Sequence, residues 1–165
     1  MRNVIRLDGV HHDEWTLSRD EEQLPDARPA IVPLALWQAA DDRSELAPWL
    51  PSDTVMDTRL LDALKTTHLI AIDFPAFTDG RGYTLARLLR ERAGYTDEIC
   101  AIGDVLVDQL YYMRRCGFDS FDLREDQDPQ DAMRAFESFT VHYQTGTDQH
   151  EALFERRLRE RQLNA

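Results

Sequence analysis

The sequence contains very little cysteine, and this excludes several classes of metalloprotein. Cys100 and Cys116 are its only two thiols, and they do not form a C-x-x-C motif. A four-thiolate iron–sulfur cluster held by this chain alone is therefore impossible, and a structural zinc site is disfavoured. The chain also lacks a nucleophile elbow, an HExxH motif and a dinucleotide fingerprint. We accordingly expect neither a cofactor nor a metal site.

Long hydrophobic runs and an excess of positive charge are missing as well. No apolar run approaches the roughly 20 residues that span a bilayer. Residues 1–14 carry charges where a signal peptide would have its apolar core. The chain has 31 acidic and 19 basic side chains, a formal net charge of −12, whereas nucleic-acid binding needs a basic surface. These absences predict a cytoplasmic protein with no membrane contact and no nucleic-acid partner.

What is present is the composition of one globular domain. The chain has 165 residues, of which 42% are hydrophobic and 30% charged, and this length suits one domain but is short for two. Residues 1–30 are polar and contain Pro25 and Pro29, which predicts a loosely ordered N-terminal arm with one short strand near residues 3–7. Residues 31–165 are predicted to form a single α/β domain.

The beginning of this domain has a less regular pattern. Residues 31–37 are apolar and predict a strand, although Pro33 interrupts it. Apolar residues at helical spacing predict a helix over residues 40–51, which ends at a proline. The apolar residues of that helix are Leu46, Trp49 and Leu50. A second short helix is predicted over residues 57–64.

From residue 68 onward, strands and helices alternate. Apolar runs predict strands over residues 69–74, 98–102 and 119–123. Helices are predicted over residues 83–93 and 104–116. Such alternation with short connections predicts a parallel sheet built from βα units. Because the chain is shorter than the roughly 250 residues of a full eightfold barrel, we expect a partial barrel or a small open α/β sheet.

Capping residues mark the ends of the predicted helices. Gly94 and Gly117 suit the C-terminal glycine position of the two helices that precede them. Asp104 suits the N-cap of the helix predicted over residues 104–116. Asp128 followed by proline predicts another helix start. Residues 140–144 are predicted to form a strand, and a capping box predicts the start of a last helix. That box consists of Asp148 and Glu151.

The segment Gly80-Arg81-Gly82, between the first clear strand and its helix, is the most informative candidate for a binding loop. Parallel α/β folds bind ligands at the carboxyl ends of their strands. Here the glycines permit tight turns, the following helix offers free N–H groups, and Arg81 offers a forked donor for a small oxyanion. The alternative is a structural turn in which Asp79 and Arg81 bind backbone groups or each other.

Other polar residues follow the predicted strands, and each has a structural alternative. Asp79 and Asp104 are candidates for an acid or base, while Asp104 could simply cap its helix. Asp108 and Gln109 are candidate ligand-binding residues or ordinary solvent-facing residues of a helix. Cys116 follows two arginines, whose charge could lower the pKa of a thiol, but a structural role is the favoured interpretation.

Taken together, these residues resemble a bacterial family. The matching segments cover residues 74–83 (FPAFTDGRGY), 103–109 (GDVLVDQ) and 114–119 (RRCGFD), within a similarity over residues 68–123. They are similar to the family known as domain of unknown function 934. Its members lie beside genes for assimilatory sulfite or nitrite reductase and are often described as probable oxidoreductases in sulfite reduction.

The resemblance implies which residues form a site. Its motif residues include the catalytic candidates Asp79, Asp104 and Cys116. The candidate ligand-binding residues that it implies are Gly80, Arg81, Gly82, Tyr83, Arg87, Asp108, Gln109 and Arg115. It also implies a pathway and, as a partner, the hemoprotein subunit of sulfite reductase.

Two functional hypotheses and one structural hypothesis stay open. The first is an accessory protein of sulfite reduction, because sulfite reduction needs metal centres for which this chain has too few cysteines. An alternative is a small enzyme or binding protein for an oxyanion or sulfur metabolite, with a pocket centred on Arg81. The third is a purely structural module; a homodimer is compatible with each. An accessory protein should expose aromatic surface, for which the candidates are Tyr111, Tyr112 and Phe118.

Overall fold

The structure, a computed structural model, describes residues 2–139 and 141–163. The strands of this part are β1 (Arg2–Arg6), β2 (Gly9–Asp13), β3 (Thr16–Leu17), β4 (Ala30–Pro33), β5 (Leu46–Leu50), β6 (Leu69–Phe74), β7 (Glu98–Gly103) and β8 (Ser120–Phe121). The α-helices are α1 (Leu34–Ala39), α2 (Thr58–Leu64), α3 (Arg81–Leu88), α4 (Leu110–Cys116), α5 (Pro129–Phe136) and α6 (Leu153–Leu163). A π-helical turn (Leu89–Ala93) extends α3, and a 3-10 turn (Val107–Gln109) precedes α4.

The strands form one curled open sheet, a half-barrel, in the order β2-β1-β8-β7-β6-β5-β4-β3. From β3 to β8 each neighbouring pair is parallel, whereas β1 pairs antiparallel with both β2 and β8. The longest parallel ladder joins β6 to β7, from the Leu69–Glu98 pair to the Phe74–Gly103 pair. This arrangement confirms the predicted α/β sheet of partial-barrel type.

Both faces of the central strands are buried. In β6, Ile70 and Ile72 belong to the main core, which the helices cover. Leu69 and Ala71 point to the other face, where Trp15 and Leu17 pack against the strands. Strands buried on both faces have continuous apolar runs instead of alternating ones. This is why the sequence marks β6 and β7 so clearly.

The N-terminal segment contributes more to the sheet than the single predicted strand near residues 3–7. Residues 2–17 contain β1, β2 and β3, and Val4 and Ile5 of β1 are only 1% and 2% exposed. The chain passes from β2 at one edge of the sheet to β3 at the other. The segment looked polar because an edge hairpin exposes alternate residues, as β2 does at Val10 and His12.

Between residues 30 and 51, two predicted elements differ from the structure. The predicted strand over residues 31–37 ends at Pro33, and α1 begins at the next residue. The predicted helix over residues 40–51 is wrong, because Leu46–Leu50 form a strand whose five residues are all buried. A short apolar run fits a buried strand as well as a helix, and Pro48 inside the run disfavours the helix.

Three of the predicted capping residues after residue 80 are confirmed by the structure. Gly94 and Gly117 take the expected left-handed conformation, with φ of +65° and +110°. Asp128 caps α5, and its carboxylate accepts a hydrogen bond from the Gln130 N–H at 2.8 Å.

No described helix is long and apolar enough to cross a membrane.

Towards the C-terminus, two predictions fail. Residues 141–144 form no strand, and Thr140, the first residue of the predicted strand, lies outside the described residues. The last helix begins at Leu153, later than the capping box at Asp148 predicts. The first turn of α6 is capped differently, because Glu155 accepts a hydrogen bond from the Ala152 N–H at 3.0 Å.

Helix α3 packs against β6 through Gly82. A Cβ atom at Gly82 would lie 2.6 Å from Cζ of Phe74, whose ring is fully buried. That ring is enclosed by Tyr83 and Phe118, with ring centres 5.3 and 5.8 Å away. A Cβ atom at Gly80 would meet nothing closer than Tyr83, at 4.0 Å. Gly82 is thus required by packing, whereas Gly80 is not.

We expect Gly82→Ala to lower the free energy of unfolding by about 1–3 kcal/mol, since an added methyl group in a filled core forces its neighbours to move. Gly80→Ala, the matched control, should change it by less than about 1 kcal/mol, the scale of an N-cap effect. Urea unfolding of both variants measures the difference. Equal stabilities would show that the Phe74 ring moves aside without cost.

Candidate functional site

The loops after β6, β7 and β8 meet at one edge of the sheet. An open cavity of about 700 Å³ lies there, lined by Gly103 at the end of β7 and by Asp122 and Arg124 of the loop after β8. Trp15 and Arg19 of the N-terminal segment line its other side. Parallel α/β folds bind ligands at this edge, because the carboxyl ends of the strands converge there. The cavity therefore lies where a ligand-binding site is expected in this type of fold.

The N-terminal segment is held over this edge by Arg19. Its Nη2 donates a hydrogen bond to Oδ1 of Asp73 at 2.8 Å, near the end of β6. Its guanidinium lies 5.6 Å from the ring centre of Trp49, and Trp49 Nε1 donates to the Ser18 carbonyl at 3.0 Å. No local motif in the sequence marks Arg19 as a functional residue. Its partners lie far along the chain.

Asp104 ties the loops together instead of capping a helix. Its Oδ2 accepts a hydrogen bond from the Phe77 N–H at 2.8 Å, and its Oδ1 accepts one from Nη1 of Arg124 at 2.7 Å. These two bonds, the backbone bond first, lower the pKa of the Asp104 carboxyl. The predicted N-cap role is wrong, because the 3-10 turn begins only at Val107. An ionised carboxylate that accepts hydrogen bonds from both Phe77 and Arg124 is suited to holding their two loops together.

Arg124 binds a second carboxylate as well. It donates to Asp126 from Nε at 2.6 Å and from Nη2 at 2.8 Å. The Arg124 guanidinium lowers the pKa of Asp126 to about 2, and the same bonds raise the pKa of Arg124. Arg124 was missed by the sequence analysis. Its position, shortly after the end of β8, is a signal that the strand-end rule could have used.

The loop after β6 is fixed on both sides of Phe77. Gln109 Nε2 donates to the Phe77 carbonyl at 2.8 Å, opposite the bond from the Phe77 N–H to Asp104. The side chain of Asp108 is exposed and makes no hydrogen bond within the described residues. Gly103 has a φ of +94°, and a Cβ atom there would clash with the Phe74 carbonyl oxygen. Only glycine fits at this crossing.

The predicted oxyanion loop is occupied by its own ion pair. Arg81 donates to the Asp79 carboxylate from Nη2 at 2.7 Å, from Nε at 3.0 Å and from its backbone N–H at 3.1 Å. The Ser52 hydroxyl donates to the same carboxylate at 2.7 Å. These bonds, those from Arg81 first, hold the pKa of Asp79 well below its usual range. This geometry is the one expected of the structural alternative.

Tyr83, Arg87 and Cys116 come together around Tyr112 between α3 and α4, and we call this group the Tyr112 cluster. The rings of Tyr83 and Tyr112 are 5.2 Å apart, and Tyr112 is 55% exposed. Burial raises the pKa of Tyr83 to about 12. It also raises the pKa of Cys116, although Arg87 and Arg115 lie nearby. The thiol therefore stays protonated at neutral pH, which disfavours nucleophilic chemistry.

Arg115 holds the C-terminal segment against α4. Its Nη2 donates to the Gln144 carbonyl at 2.5 Å, and its Nε lies 3.6 Å from Asp148. The Arg115 carbonyl accepts a hydrogen bond from the Thr147 N–H at 3.0 Å. This side chain positions a segment of the chain and is only 15% exposed.

The residues predicted as one site thus divide into four groups by their contacts, and two of these groups adjoin because Arg115 lies near Cys116. Asp79 and Arg81 pair at the start of α3, while Asp104 and Gln109 hold the Phe77 loop. The third group is the Tyr112 cluster, and the fourth is Arg115 with its partners. Within residues 2–139 and 141–163, no group of three or more histidine, cysteine, aspartate or glutamate side chains is placed to hold a metal ion.

Comparison with known proteins gives one result. A family model described as "Bacterial protein of unknown function (DUF934)" matches residues 48–154, which is more than half of the 165 residues. The match includes the loops after β6, β7 and β8 and the Tyr112 cluster. No curated protein and no solved structure matches the chain.

Replacing Arg81 tests whether its bond to Asp79 is structural. The pKa of Asp79 is lowered in the folded protein. Its contribution to stability is therefore fully present above the pKa of about 3.9 of an unfolded aspartate, and it is lost as the pH falls below that value. We expect Arg81→Ala to lower the melting temperature, and the difference from the wild type to be larger at about pH 7 than at about pH 3.

Arg92→Ala is the matched control for this experiment. Arg92 is exposed on the turn after α3 and forms no ion pair within the described residues. Its replacement should change the melting temperature little at either pH. A normal melting temperature for Arg81→Ala at neutral pH would instead mean that the Asp79 pair is dispensable.

Thiol titration tests the state of Cys116. Cys100 is fully buried and Cys116 is 3% exposed, so a chromogenic disulfide reagent at neutral pH should find no rapidly reacting thiol in the folded protein. Denaturation in guanidinium should release both thiols of the chain. Rapid reaction of one native thiol, absent from Cys116→Ala, would show an activated cysteine and contradict the burial argument.

Proposed function

Since the chain belongs to the DUF934 family of bacterial proteins of unknown function, we propose that it is an accessory protein of assimilatory sulfite reduction. In this role it binds the hemoprotein subunit of sulfite reductase and stabilises or assists it. The sequence resemblance supports the pathway, and the Tyr112 cluster supports a binding role.

The exposed tyrosine of this cluster is the observation that carries the proposal. Tyr112 leaves 55% of its surface in solvent, although its ring packs on Tyr83 and Arg87 lies beside it. Phe118, another predicted contact residue, is 3% exposed and belongs to the core, and Tyr111 is half-buried against Phe139. Tyrosine and arginine are enriched in the energetic centres of protein interfaces. A supported aromatic ring loses little entropy when a partner covers it.

The other polar residues of the predicted site favour binding over chemistry. Arg81 is engaged by Asp79, and Asp104 is engaged by the Phe77 N–H and Arg124. An oxyanion at Arg81 would have to displace the Asp79 carboxylate from the three donor groups of Arg81. No observation favours the alternative of an oxyanion or sulfur-metabolite pocket there. These contacts support a scaffold that keeps its loops in place and presents a surface.

The negative net charge of the chain favours a partner with a positively charged contact surface. The chain has a net charge of −12, so a partner surface with positive charge would associate faster than a neutral one. The association rate should therefore fall as salt is added, while the dissociation rate changes less. This behaviour would be specific to a partner with a basic contact surface.

Binding to the purified hemoprotein subunit tests the proposal directly. We expect a complex at micromolar concentrations, measured by biolayer interferometry. Tyr112→Ala should raise Kd at least about tenfold, because truncation of a central aromatic residue removes much of the binding energy of an interface.

Val10→Ala is the control, because Val10 is 49% exposed on the edge strand β2 and lies outside the Tyr112 cluster. It should leave Kd unchanged. Absence of a complex with the wild-type chain would contradict the accessory role, and equal Kd values for the two variants would contradict the Tyr112 surface. For the pathway, a deletion strain should grow poorly on sulfate and normally on cysteine. Equal growth on both would contradict a role in sulfite reduction.

A further inference from the structure

Helix α6 differs in charge from the rest of the chain. Residues 153–163 contain four arginines and two glutamates, a net charge of +2 in a chain whose net charge is −12. The arginines are Arg156, Arg157, Arg159 and Arg161. Opposite charges attract across an interface and select its partner. This helix is therefore suited to an acidic surface, unlike the chain as a whole.

Two of these arginines form no ion pair with any residue that the structure describes. Arg156 lies 4.0 Å from Glu160, and Arg159 donates to Glu151 at 2.9 Å. Within the described residues, Arg157 and Arg161 form no ion pair. They are four residues apart and so lie on the same side of the helix. An unpaired arginine pair of this kind is available to carboxylates of another molecule.

Apolar side chains lie next to this arginine pair. Phe154 and Leu158, also four residues apart, are 55% and 53% exposed. Together with Tyr143, Leu153 and the two arginines they line a shallow groove of about 260 Å³. We call this surface the α6 groove. An apolar strip flanked by arginines is the composition of a protein interface rather than of an ordinary solvent-exposed helix.

A second surface of the same chain has the complementary character. A cavity of about 500 Å³ is lined mostly by apolar residues, among them Pro33, Leu34, Trp49 and Leu60, with Val55 at its mouth. We call it the Val55 cavity. Val55 is 82% exposed and adds accessible apolar surface to this cavity. The cavity is large enough to receive exposed side chains such as Phe154 and Leu158.

The lining of the Val55 cavity itself is acidic, whereas the adjoining cavity that shares Val55 and Leu60 is lined by Arg43 and Arg59 as well as Asp57. Glu21 is the one charged lining residue of the Val55 cavity among those described. Asp20 and Glu22 flank Glu21 in the sequence, and Asp53 lies two residues before Val55. An arginine-flanked apolar helix and an apolar cavity with a glutamate in its lining therefore occur in one polypeptide. Pairing α6 with α6 of another copy would instead oppose two positive helices.

We propose that a second copy of this chain covers both surfaces: α6 of each copy docks in the Val55 cavity of the other. Phe154 and Leu158 enter the cavity, while Arg157 and Arg161 meet Glu21 and its acidic neighbours. A twofold axis makes the two contacts equivalent, so the assembly closes as a dimer. This inference concerns self-association and does not depend on the proposed reductase partner.

Sedimentation velocity of the purified full chain tests the dimer. We expect twice the chain mass of 19.2 kDa at micromolar concentrations. Arg157→Gln/Arg161→Gln should raise the dimer dissociation constant at least tenfold. Arg156→Gln/Arg159→Gln, which removes the same charge from the same helix, should leave it within about threefold, because these arginines already face carboxylates of their own chain and exposed ion pairs contribute little. A monomer at all concentrations, or equal effects of the two double variants, would overturn the proposal.

Mixing two variants tests which surfaces meet. Val55→Asp should weaken the dimer at least tenfold, and since Val55 is exposed this change does not disturb the core. A mixture of Val55→Asp with Arg157→Gln/Arg161→Gln should form a heterodimer tighter than either variant alone, because one of its two contacts is intact. A dimer indifferent to Val55→Asp, a mixture no tighter than its components, or assemblies larger than a dimer would each contradict the reciprocal contact.

Discussion

The carboxylate of Asp104 accepts hydrogen bonds from two different loops, and the geometry of the sheet edge depends on these bonds. Phe77 follows β6, Asp104 follows β7 and Arg124 follows β8. Parallel strands bring such loops to one edge, where their backbone and charged groups crowd together and need partners. A single residue with two acceptor oxygens meets this need. The tight passage of Gly103 beneath the Phe74 carbonyl places that residue where both donors can reach it.

Pairing between distant segments also involves charged side chains elsewhere in the molecule. Arginine supplies nearly all of its positive charge, and the arginines near the sheet ends pair with carboxylates distant in sequence, as Arg6 does with Glu98 and Arg19 with Asp73. Exposed pairs of this kind add little stability, so their main effect is to position segments. Tyr112 and the α6 groove remain accessible on the surface. The two proposals place partner contacts at these surfaces.

Local patterns predicted a large part of the fold. The strands β6 and β7 were predicted to within a residue of their ends, because both faces are buried and their apolar runs are continuous. Asp128 and Gly94 were assigned correctly because capping acts within one turn. The strand β5 was mistaken for a helix, since five apolar residues fit either structure. For the candidate site, the pair of Asp79 with Arg81 was anticipated as one alternative, because its members are two residues apart.

The sequence by itself determined the α/β class from residue 68 onward, the exclusion of a four-thiolate cluster by two cysteines, and the acidic net charge. These properties depend on composition and on spacings shorter than one structural element. Only the tertiary structure decided that Arg124 meets Asp104 across 20 residues, that Arg19 meets Asp73 across 54, and that Cys116 is buried. Such contacts depend on the order and curl of the strands, which bring distant loops to one edge and leave no trace in any local pattern.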